Sequence, residues 1–475
     1  MMVIGAGRYH SSVAGLLDNI SFVITYPWLT VVSLFISCYQ STTWEQQHPQ
    51  SKLTHYFIYG PALGIIALAF APLGLSGYLL HILVCHLFAS NKFIHMTVKH
   101  SPSTAQNGCS GKDPATVSAT PTNRFTFCTA NLLLAPECVV RFNNNRFVYT
   151  RGPEVARRLL WQKPLPDNAL GAAAEQHVSV LFPEVDFFCL QEVWERVWAL
   201  VLAKELQQRY PHYLYDIGEH KLNVNGCMGA SGLFFASKYP ILGATFETFK
   251  CRKGWARCIS YGVLCVKVDV GSPGERRVGY VANLHTQAYQ DRDPIIYEEV
   301  RQAQRVLEQF CTDSAEPGDR VVFRVMCGDF NYDNISPGDA MNQNHPLFGE
   351  FEDFCRVGPG EDKPWTVGTE MRQVMIFDER LNSPGSFRRI LTDDVERRRF
   401  LLDADVESQT LELARAPPPL DSEGRLRASP GGGRRRIDHI LHARQPEVRV
   451  CNYTFVAALS GLSDHIPVCM TVETA

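Results

Sequence analysis

Two long apolar runs set the first 100 residues apart from the rest of the chain. The run from 20 to 38 has no Asp, Glu, Lys or Arg and is just long enough to cross a bilayer as a helix. The run from 56 to 89 is equally uncharged but is too long for one straight crossing. The pattern predicts a helix that can span, followed by a broken or re-entrant helix, in a membrane-associated region covering residues 1–100. The residues expected to interrupt the second helix are Gly60, Pro61, Pro72, Gly74 and Gly77.

A cleaved signal peptide is the competing interpretation of the first run, but no small-residue cleavage site follows Cys38 and a second apolar run comes after it. Lys92 and Lys99 follow the second run, which by the positive-inside tendency leaves the downstream chain on the cytosolic side. Residues 1–19 carry one basic residue, Arg8, together with the acidic Asp18, which is poor mitochondrial targeting chemistry. The sequence predicts membrane attachment and leaves the membrane open between mitochondrion, endoplasmic reticulum and plasma membrane.

Beyond residue 100 the pattern changes. Residues 101–123 are rich in Ser, Thr, Pro and Gly and predict a flexible linker, and the stretch 416–433 predicts a surface loop. Residues 124–475 alternate short β-like runs with amphipathic stretches and predict an α/β sandwich. The expected strands cover 124–133, 185–192, 231–241, 259–270, 276–286, 320–330, 435–443 and 465–474, and the expected helices 152–162, 193–210 and 294–310.

Charge and cysteine content limit the kinds of ligand and cellular compartment that the sequence predicts. Lys and Arg number 46 against 49 Asp and Glu, a net charge of -3, so the chain lacks the positive field that draws proteins onto nucleic acid. The 15 cysteines include no Cys-x-x-Cys pair and no Cys/His cluster with zinc spacing. The sequence therefore predicts a reducing, cytosol-facing domain without a zinc site.

Candidate chemistry lies at the ends of the predicted strands, where a sheet projects side chains into one cleft. A single strand-end Asp or Asn is usually a turn former, so the joint occurrence in this order carries the prediction. Hard oxygen ligands suit Mg²⁺, and a histidine titrating near working pH suits proton transfer. The residues are Asn131, Glu192, His285, Asp329, Asn331, Asp464 and His465.

The order of these strings resembles the endonuclease/exonuclease/phosphatase superfamily over residues 124–475. The matching motifs are Gln191-Glu192, the Gly-Asp-x-Asn motif at 328–331 and the Ser-Asp-His-x-Pro-Val motif at 463–468. That resemblance implies a four-layer α/β sandwich of the deoxyribonuclease I type. Within the superfamily the strings FCTANLLL, FCLQEVWE, GPGEDKPWTVGT, RRRIDHILHA and LSGLSDHIPV are similar to vertebrate neutral sphingomyelinases. The short interval between Asn131 and Glu192 is most like the mitochondria-associated branch, which slightly favours that membrane.

The resemblance implies roles for these residues in the Mg²⁺-dependent hydrolysis of membrane sphingomyelin to ceramide and phosphocholine. Glu192 binds the metal, with Asn131 partly through water and with Mn²⁺ as a substitute. His465 is the general base and Asp438 orients it. The remaining roles are Asp329 orienting water or substrate, His285 and Asn331 donating to phosphate oxygens, and Asp464 as a further ligand or orienting group.

Other features leave alternatives open. The family pairs an Asp with a Lys in an activation switch, and this chain has Ala256 and Tyr261 there, which puts activation by lipids in doubt. The run Arg434, Arg435 and Arg436 is either a solvated tip or a contact for anionic phospholipids. Cys38 and Cys85 are acylation candidates or buried packing residues. The alternatives to a sphingomyelinase are another phosphodiesterase or phosphatase of the superfamily, acting on lyso-phosphocholine lipids, inositol phosphates or nucleic acid, and an inactive membrane scaffold.

Overall fold

A computed structural model describes most of the chain. It covers residues 2–4, 8–99, 123–164, 177–220, 222–223, 226–227, 229–272, 274–408, 410–427 and 429–475. Residues 101–122 of the predicted linker lie outside the described part.

The two apolar runs form a helical hairpin of Ser12–Tyr39 and Gly60–Phe88. The short helices Thr43–Gln47 and Gln50–Thr54 and the π-helical turn His55–Tyr59 connect them. The predicted break in the second run is wrong, because Gly60–Phe88 is one α-helix with Pro72 inside it.

Contacts between the two helices of the hairpin explain why glycine occupies positions 74 and 77 of an unbroken helix. Added Cβ atoms at Gly74 and Gly77 would collide with Trp28 and Thr25 of the first helix, the latter at 2.6 Å. Small residues at such positions let two helices approach closely, and that packing requirement is invisible in a single run of sequence. Cys38 and Cys85 are both buried in the hairpin.

Two sheets make up the α/β unit, which we define as residues 123–475. The nine-stranded sheet has the order Met2–Ile4, Ile94–Lys99, His212–Tyr215, Phe234–Ser237, Phe187–Val193, Arg124–Leu134, Val468–Thr474, Val448–Val456 and Val178–Ser179. The six-stranded sheet has the order Ile241–Thr248, Gly262–Asp269, Arg277–His285, Arg320–Asp329, Asp438–Ala443 and Phe351–Asp353. Each of the eight predicted strands overlaps an observed one.

Apolar residues from both sheets meet in the centre. Phe127 and Phe187 of the nine-stranded sheet pack against Phe323 of the six-stranded sheet, with ring centroids 5.0 and 5.7 Å apart. Helices Val148–Arg158 and Arg196–Leu206 cover the outer face of the first sheet, and Ile295–Asp313 covers that of the second. These layers confirm the predicted four-layer sandwich.

Shorter elements complete the described chain. Small helices span Glu137–Phe142, Ala340–Gln343, Leu347–Glu350, Pro384–Thr392, Asp394–Phe400 and Leu411–Ala414. Two-stranded pairs join Gln162–Lys163 with Phe182–Pro183, Leu222–Asn223 with Gly226–Cys227, and Arg356–Gly358 with Glu361–Asp362. The described residues of 416–433 contain no helix or strand, as expected for a loop.

The N-terminal region is built into the α/β unit. Met2–Ile4 pairs with Ile94–Lys99, which in turn pairs with His212–Tyr215 at the edge of the nine-stranded sheet. The first hairpin helix also lies along the unit: Asp18 pairs with Arg196 at 3.1 Å, and Ser33 accepts a hydrogen bond from the backbone N–H of Cys138 at 3.1 Å. The hairpin therefore contacts the unit near both of its ends.

Candidate active site

Strand register brings the predicted residues to one edge of the sandwich. Arg124–Leu134 and Phe187–Val193 are parallel neighbours, with Asn131 opposite Gln191, so Asn131 and Glu192 emerge together. In the second sheet His285 is paired with Asp329, and Asp329 with Asp438. Parallel neighbours end at the same edge, which is why side chains far apart in sequence meet here.

A buried polar network fixes the two sheets relative to each other beneath this edge. Gln191 Nε2 donates to Asn283 Oδ1 at 2.7 Å and to Thr129 Oγ1 at 3.1 Å. Asn283 lies two residues before His285 and donates to the carbonyl of Leu190 at 3.2 Å. Since all three amide and hydroxyl groups are fully buried, a shift of either sheet would leave them unpaired.

Asn131 lies between two carboxylates. Its amide nitrogen donates to Glu192 Oε1 and to Asp329 Oδ2, both at 3.0 Å. Its Oδ1 accepts the backbone N–H of Leu133 at 3.1 Å. In this arrangement the amide nitrogen orders the two acids and the oxygen uses one of its two lone pairs, so binding of the metal by Asn131 stays a prediction.

His465 is held by a buried acid. Its Nδ1 lies 2.9 Å from Asp438 Oδ2, and its Nε2 lies 3.8 Å from Asp329 Oδ2. Thr369 fixes Asp438 in turn, since its hydroxyl accepts the backbone N–H of Asp438 at 3.1 Å. Burial opposes a charge on His465, but Asp438, Asp329 and Asp464 outweigh it and raise its pKa well above the usual value. The pair has the geometry of a base oriented by a carboxylate.

The acidic groups are crowded and poorly neutralised. Burial raises the pKa of Asp329 to about 8, and burial with the neighbouring Asp464 raises that of Glu192. The buried Oδ1 atoms of Asp464 and Asp438 have no hydrogen-bond partner among the described residues. Several buried carboxylate oxygens in one place fit a hard divalent ion such as Mg²⁺ or Mn²⁺. Asp329, Asp438 and His465 form a group in the same place, with one possible metal-binding atom of each within 4.8 Å of the other two.

His285 and Asn331 complete the predicted set. His285 Nε2 lies 3.5 Å from Asp329 Oδ2, and burial together with His465 lowers the pKa of His285 to about 3, so the ring is neutral. Asn331 donates one amide hydrogen to the carbonyl of Thr286 at 2.9 Å. Both residues line the same cavity as Glu192 and His465. The structure thus brings the sequence-predicted residues together in one place.

That cavity has a volume of about 630 Å³. Its lining combines acids and histidines with three aromatic residues, Trp194, Trp255 and Tyr261, which we call the aromatic side. The Tyr261 ring meets His285 edge-on at a centroid distance of 4.8 Å and lies 5.9 Å from Trp194. Tyr261 and the buried Ala256 stand where the family's switch pair is expected, and neither can form an ion pair there.

Several residues of the site were not predicted. Glu370 and Tyr289 line the cavity, and the backbone of Glu370 pairs with that of His465 in an isolated antiparallel β-bridge. Arg151 is buried and donates to the carbonyls of Leu132, Leu133 and Leu462, which holds the end of the strand carrying Asn131 next to the loop carrying Asp464. A buried arginine on a helix has no local sequence signal. Glu370 directly follows the string GPGEDKPWTVGT at 358–369 and could have been predicted from it.

Two of the three residues in the arginine run do not face lipid. Arg435 is buried against Asp333 and Glu370, each at 2.7 Å. Arg436 has no exposed surface and lies 2.8 Å from both Asp353 and Asp362. Neither expectation, a solvated tip or a contact for anionic phospholipids, holds for these two residues, because carboxylates distant in sequence neutralise them inside the fold.

Comparison with known proteins agrees with this geometry. Residues 160–465 match the family model described as Endonuclease/Exonuclease/phosphatase family. Mouse sphingomyelin phosphodiesterase 3 is 36% identical over 64% of this chain and 47% of its own length, so the chain spans about half the length of that relative. Mouse sphingomyelin phosphodiesterase 5 is 30% identical over 72% of this chain and 70% of its own length.

A solved structure, sphingomyelinase C from Streptomyces griseocarneus, is 16% identical and covers 73% of this chain and 99% of its own, with a TM-score of 0.39. That score is too low to indicate anything about the site. The family match and the relatives rest on sequence instead. By them, the chain belongs to the endonuclease/exonuclease/phosphatase family, in the branch that contains the sphingomyelin phosphodiesterases.

Proposed function

We propose that the protein is a Mg²⁺-dependent phosphodiesterase that hydrolyses sphingomyelin to ceramide and phosphocholine at a membrane. The observation that carries the proposal is the His465–Asp438 pair beside the Glu192 and Asp329 carboxylates on one side of an apolar cavity. The names of the relatives supply the substrate, and the cavity supplies the chemistry.

The residues divide the reaction between them. Mg²⁺, held by Glu192 as Asn131 orders its carboxylate, would supply positive charge to the phosphoryl oxygens when bound. His465 Nε2 takes the proton of the attacking water, while its Nδ1–H donates to Asp438. His285 and Asn331 face the cavity and donate hydrogen bonds to the non-bridging oxygens. Asp329, between Asn131 and both histidines, orients the water or the phosphate.

The aromatic side of the cavity supports a phosphocholine substrate. Quaternary ammonium groups bind over aromatic faces within about 6 Å of the ring centre. Trp194 and the 59%-exposed Trp255 line the cavity beside Tyr261, whose ring packs against His285, where the phosphate is placed. An inositol phosphate has no cationic group to place over these rings. Between an inositol phosphate and a substrate with a choline head group, the site therefore favours the second.

The helical hairpin supports action at a membrane. Ser12–Tyr39 and Gln50–Phe88 are long and apolar enough to cross a bilayer, judged by length and composition. The helix Glu137–Phe142 touches the hairpin through the Cys138–Ser33 hydrogen bond and also supplies Val139 and Phe142 to the cavity. These two side chains are 40% and 56% exposed. In this proposal the hairpin holds the cavity mouth against the lipid surface, with the α/β unit on the cytosolic side.

Phosphocholine release from sphingomyelin vesicles tests the proposal, with full-length protein in the presence and absence of Mg²⁺ and Mn²⁺. We expect release that stops with a chelator and returns with either ion. Plasmid DNA, inositol phosphates and lyso-phosphocholine lipids in parallel distinguish the other activities of the superfamily. Hydrolysis of one of these alone, or no hydrolysis together with no Mg²⁺ binding, as in an inactive scaffold, would refute the proposal.

A further inference from the structure

A second cluster of metal-binding side chains lies where the helical hairpin meets the α/β unit. Asp18 comes from the first hairpin helix, and His81 and Cys85 come from successive turns of the second. One donor atom from each lies within 4.8 Å of the other two. Asp18 and Cys85 are only 2% and 5% exposed, so these groups do not face bulk water.

The distances approach those of a tetrahedral zinc site. Zn–N bonds of about 2.0–2.1 Å and Zn–S bonds of about 2.3 Å place neighbouring donors about 3.3–3.6 Å apart. Here Cys85 Sγ lies 3.9 Å from His81 Nδ1 and 3.8 Å from its Nε2, and Asp18 Oδ1 lies 2.7 Å from Nδ1. Small side-chain movements would therefore seat the ion.

A fourth donor is close by in the α/β unit. His220 is 9% exposed, and its Nδ1 lies 3.4 Å from His81 Nε2. Its Nε2 makes no hydrogen bond among the described residues and lies 3.5 Å from Asp216 Oδ1, on the side away from His81. The 3.4 Å between His220 Nδ1 and His81 Nε2 equals the spacing of two nitrogen ligands on one zinc ion, so His220 can complete the set through Nδ1.

The surrounding groups suit a coordinated thiolate. Tyr9 Oη lies 3.1 Å from Cys85 Sγ, and Arg8 donates to the same sulfur at 3.6 Å. Both arginines nearby are already paired with acids, Arg8 with Asp216 at 3.3 Å and Arg196 with Asp18 at 3.1 Å. The charges of the two arginines and the two acids cancel, so the negative charge of the Cys85 thiolate offsets part of the charge of the ion. Hydrogen bonds of this kind to ligands are the usual support of protein metal sites.

We propose that Asp18, His81 and Cys85, with His220 as the fourth donor, bind a structural Zn²⁺ ion that fastens the helical hairpin to the α/β unit. The mixture of sulfur, nitrogen and one oxygen selects zinc over Mg²⁺, which prefers oxygen ligands. Binding releases the thiol proton of Cys85 to solvent. The site is separate from the cavity and does not depend on the proposed hydrolysis of a phosphodiester.

The cluster has no signature in the sequence, for a physical reason. Only His81 and Cys85 are close in sequence, one helical turn apart, while Asp18 and His220 come from distant elements. Zinc motifs read from sequence require clustered cysteines and histidines, and the ligands here are assembled by the fold.

Metal content of the full-length protein in detergent tests the proposal. After chelator treatment and re-addition of Zn²⁺, we expect one zinc per chain by elemental analysis and a zinc-dependent rise in Tm. Cys85→Ser keeps the side-chain size, and His81→Ala removes the central ligand; both should reduce the zinc content to none and abolish the rise. Matched controls are Cys38→Ser, the buried cysteine of the other hairpin end, and His86→Ala, an exposed histidine next to the site. Both should retain one zinc.

Glu192→Ala is a further control, because it alters the proposed Mg²⁺ site and should leave the zinc content unchanged. If wild-type protein takes up no zinc, the cluster is an ion-pair junction only and the proposal is overturned. Zinc retained at full stoichiometry in both Cys85→Ser and His81→Ala also overturns it. Either result leaves the proposed hydrolysis untouched, since the vesicle assay measures that separately.

Discussion

Replacing Asp438 by Asn tests the division of labour in the active site. The side chain is fully buried, with Oδ2 2.9 Å from His465 Nδ1 and with Oδ1 lacking a partner among the described residues. An Asn at this position has two orientations. In one, its oxygen faces His465 and its NH₂ group is buried without an acceptor. In the other, NH₂ faces His465 Nδ1 and the oxygen takes the place of the unpartnered Oδ1.

The energies favour the second orientation. A buried, unpaired donor costs about 1–3 kcal/mol, whereas the oxygen in the second orientation inherits a position that already lacks a partner. When NH₂ faces Nδ1, the neutral imidazole carries its proton on Nε2. Nε2 then cannot accept a proton from water, so the general-base contribution of about 10²- to 10⁴-fold is lost. At 1.36 kcal/mol per tenfold change this is about 2.7–5.4 kcal/mol in the barrier. We expect stability to fall by only about 1 kcal/mol, because a hydrogen bond is kept.

The measurements are kcat and KM on sphingomyelin vesicles, the Mg²⁺ concentration giving half-maximal rate, and urea unfolding. The base must be neutral to act, so the rate rises with pH through the raised pKa of His465. Loss of the Asp438 charge lowers that pKa, and the residual acid limb should move to lower pH. Half-maximal Mg²⁺ should not change. A large rise in the Mg²⁺ requirement would refute this reasoning and place the ion at the Asp329, Asp438 and His465 grouping instead.

Three other predictions follow from the same structure. Glu192→Ala should weaken Mg²⁺ binding, so added Mg²⁺ rescues part of its activity, whereas His465→Ala should lose about 10²- to 10⁴-fold in kcat without rescue; equal rescue would contradict the assignment. Arg436→Met leaves the buried carboxylates of Asp353 and Asp362 without a cation and should lower the free energy of unfolding in urea by about 3–5 kcal/mol. The control Arg444→Met removes an exposed ion pair and should lower it by less than about 1 kcal/mol. Carbonate washing should leave the full chain on membranes, because the exposed hairpin face binds by apolar contact, and its release would contradict the membrane-bound arrangement.

The sequence predicted the features that depend on local pattern. Strand ends such as Asn131 and Asp329 could be placed because β periodicity stops there and polar residues follow. The unbroken helix Gly60–Phe88 could not, because its glycines are matched to Trp28 and Thr25 of another helix. For the same reason the burial of Arg436 was missed, since its acidic partners arrive from residues 353 and 362.

Side-chain orientation was the other limit. The sequence identified Asn131 as part of the site, but which of its two amide atoms faces the acids depends on the backbone N–H of Leu133. The meeting of Trp194 with Trp255 and Tyr261 in one cavity could not be predicted either, because two segments distant in sequence bring them together. Patterns along the chain located the chemistry, and contacts across the chain decided how each group is used.

The strands Met2–Ile4 and Ile94–Lys99 have a consequence for how the protein reaches its membrane. They join both ends of the helical hairpin to one edge of the sheet, so the hairpin is fixed at both ends rather than attached by a flexible linker. Cutting it away would leave His212–Tyr215 as a bare edge whose backbone groups are free to pair with another chain. In the proposed membrane arrangement, completion of the sheet and placement of the hairpin in lipid would therefore be coupled steps of assembly. A chain lacking residues 1–100 would lose the proposed membrane anchor and expose a strand edge that favours self-association.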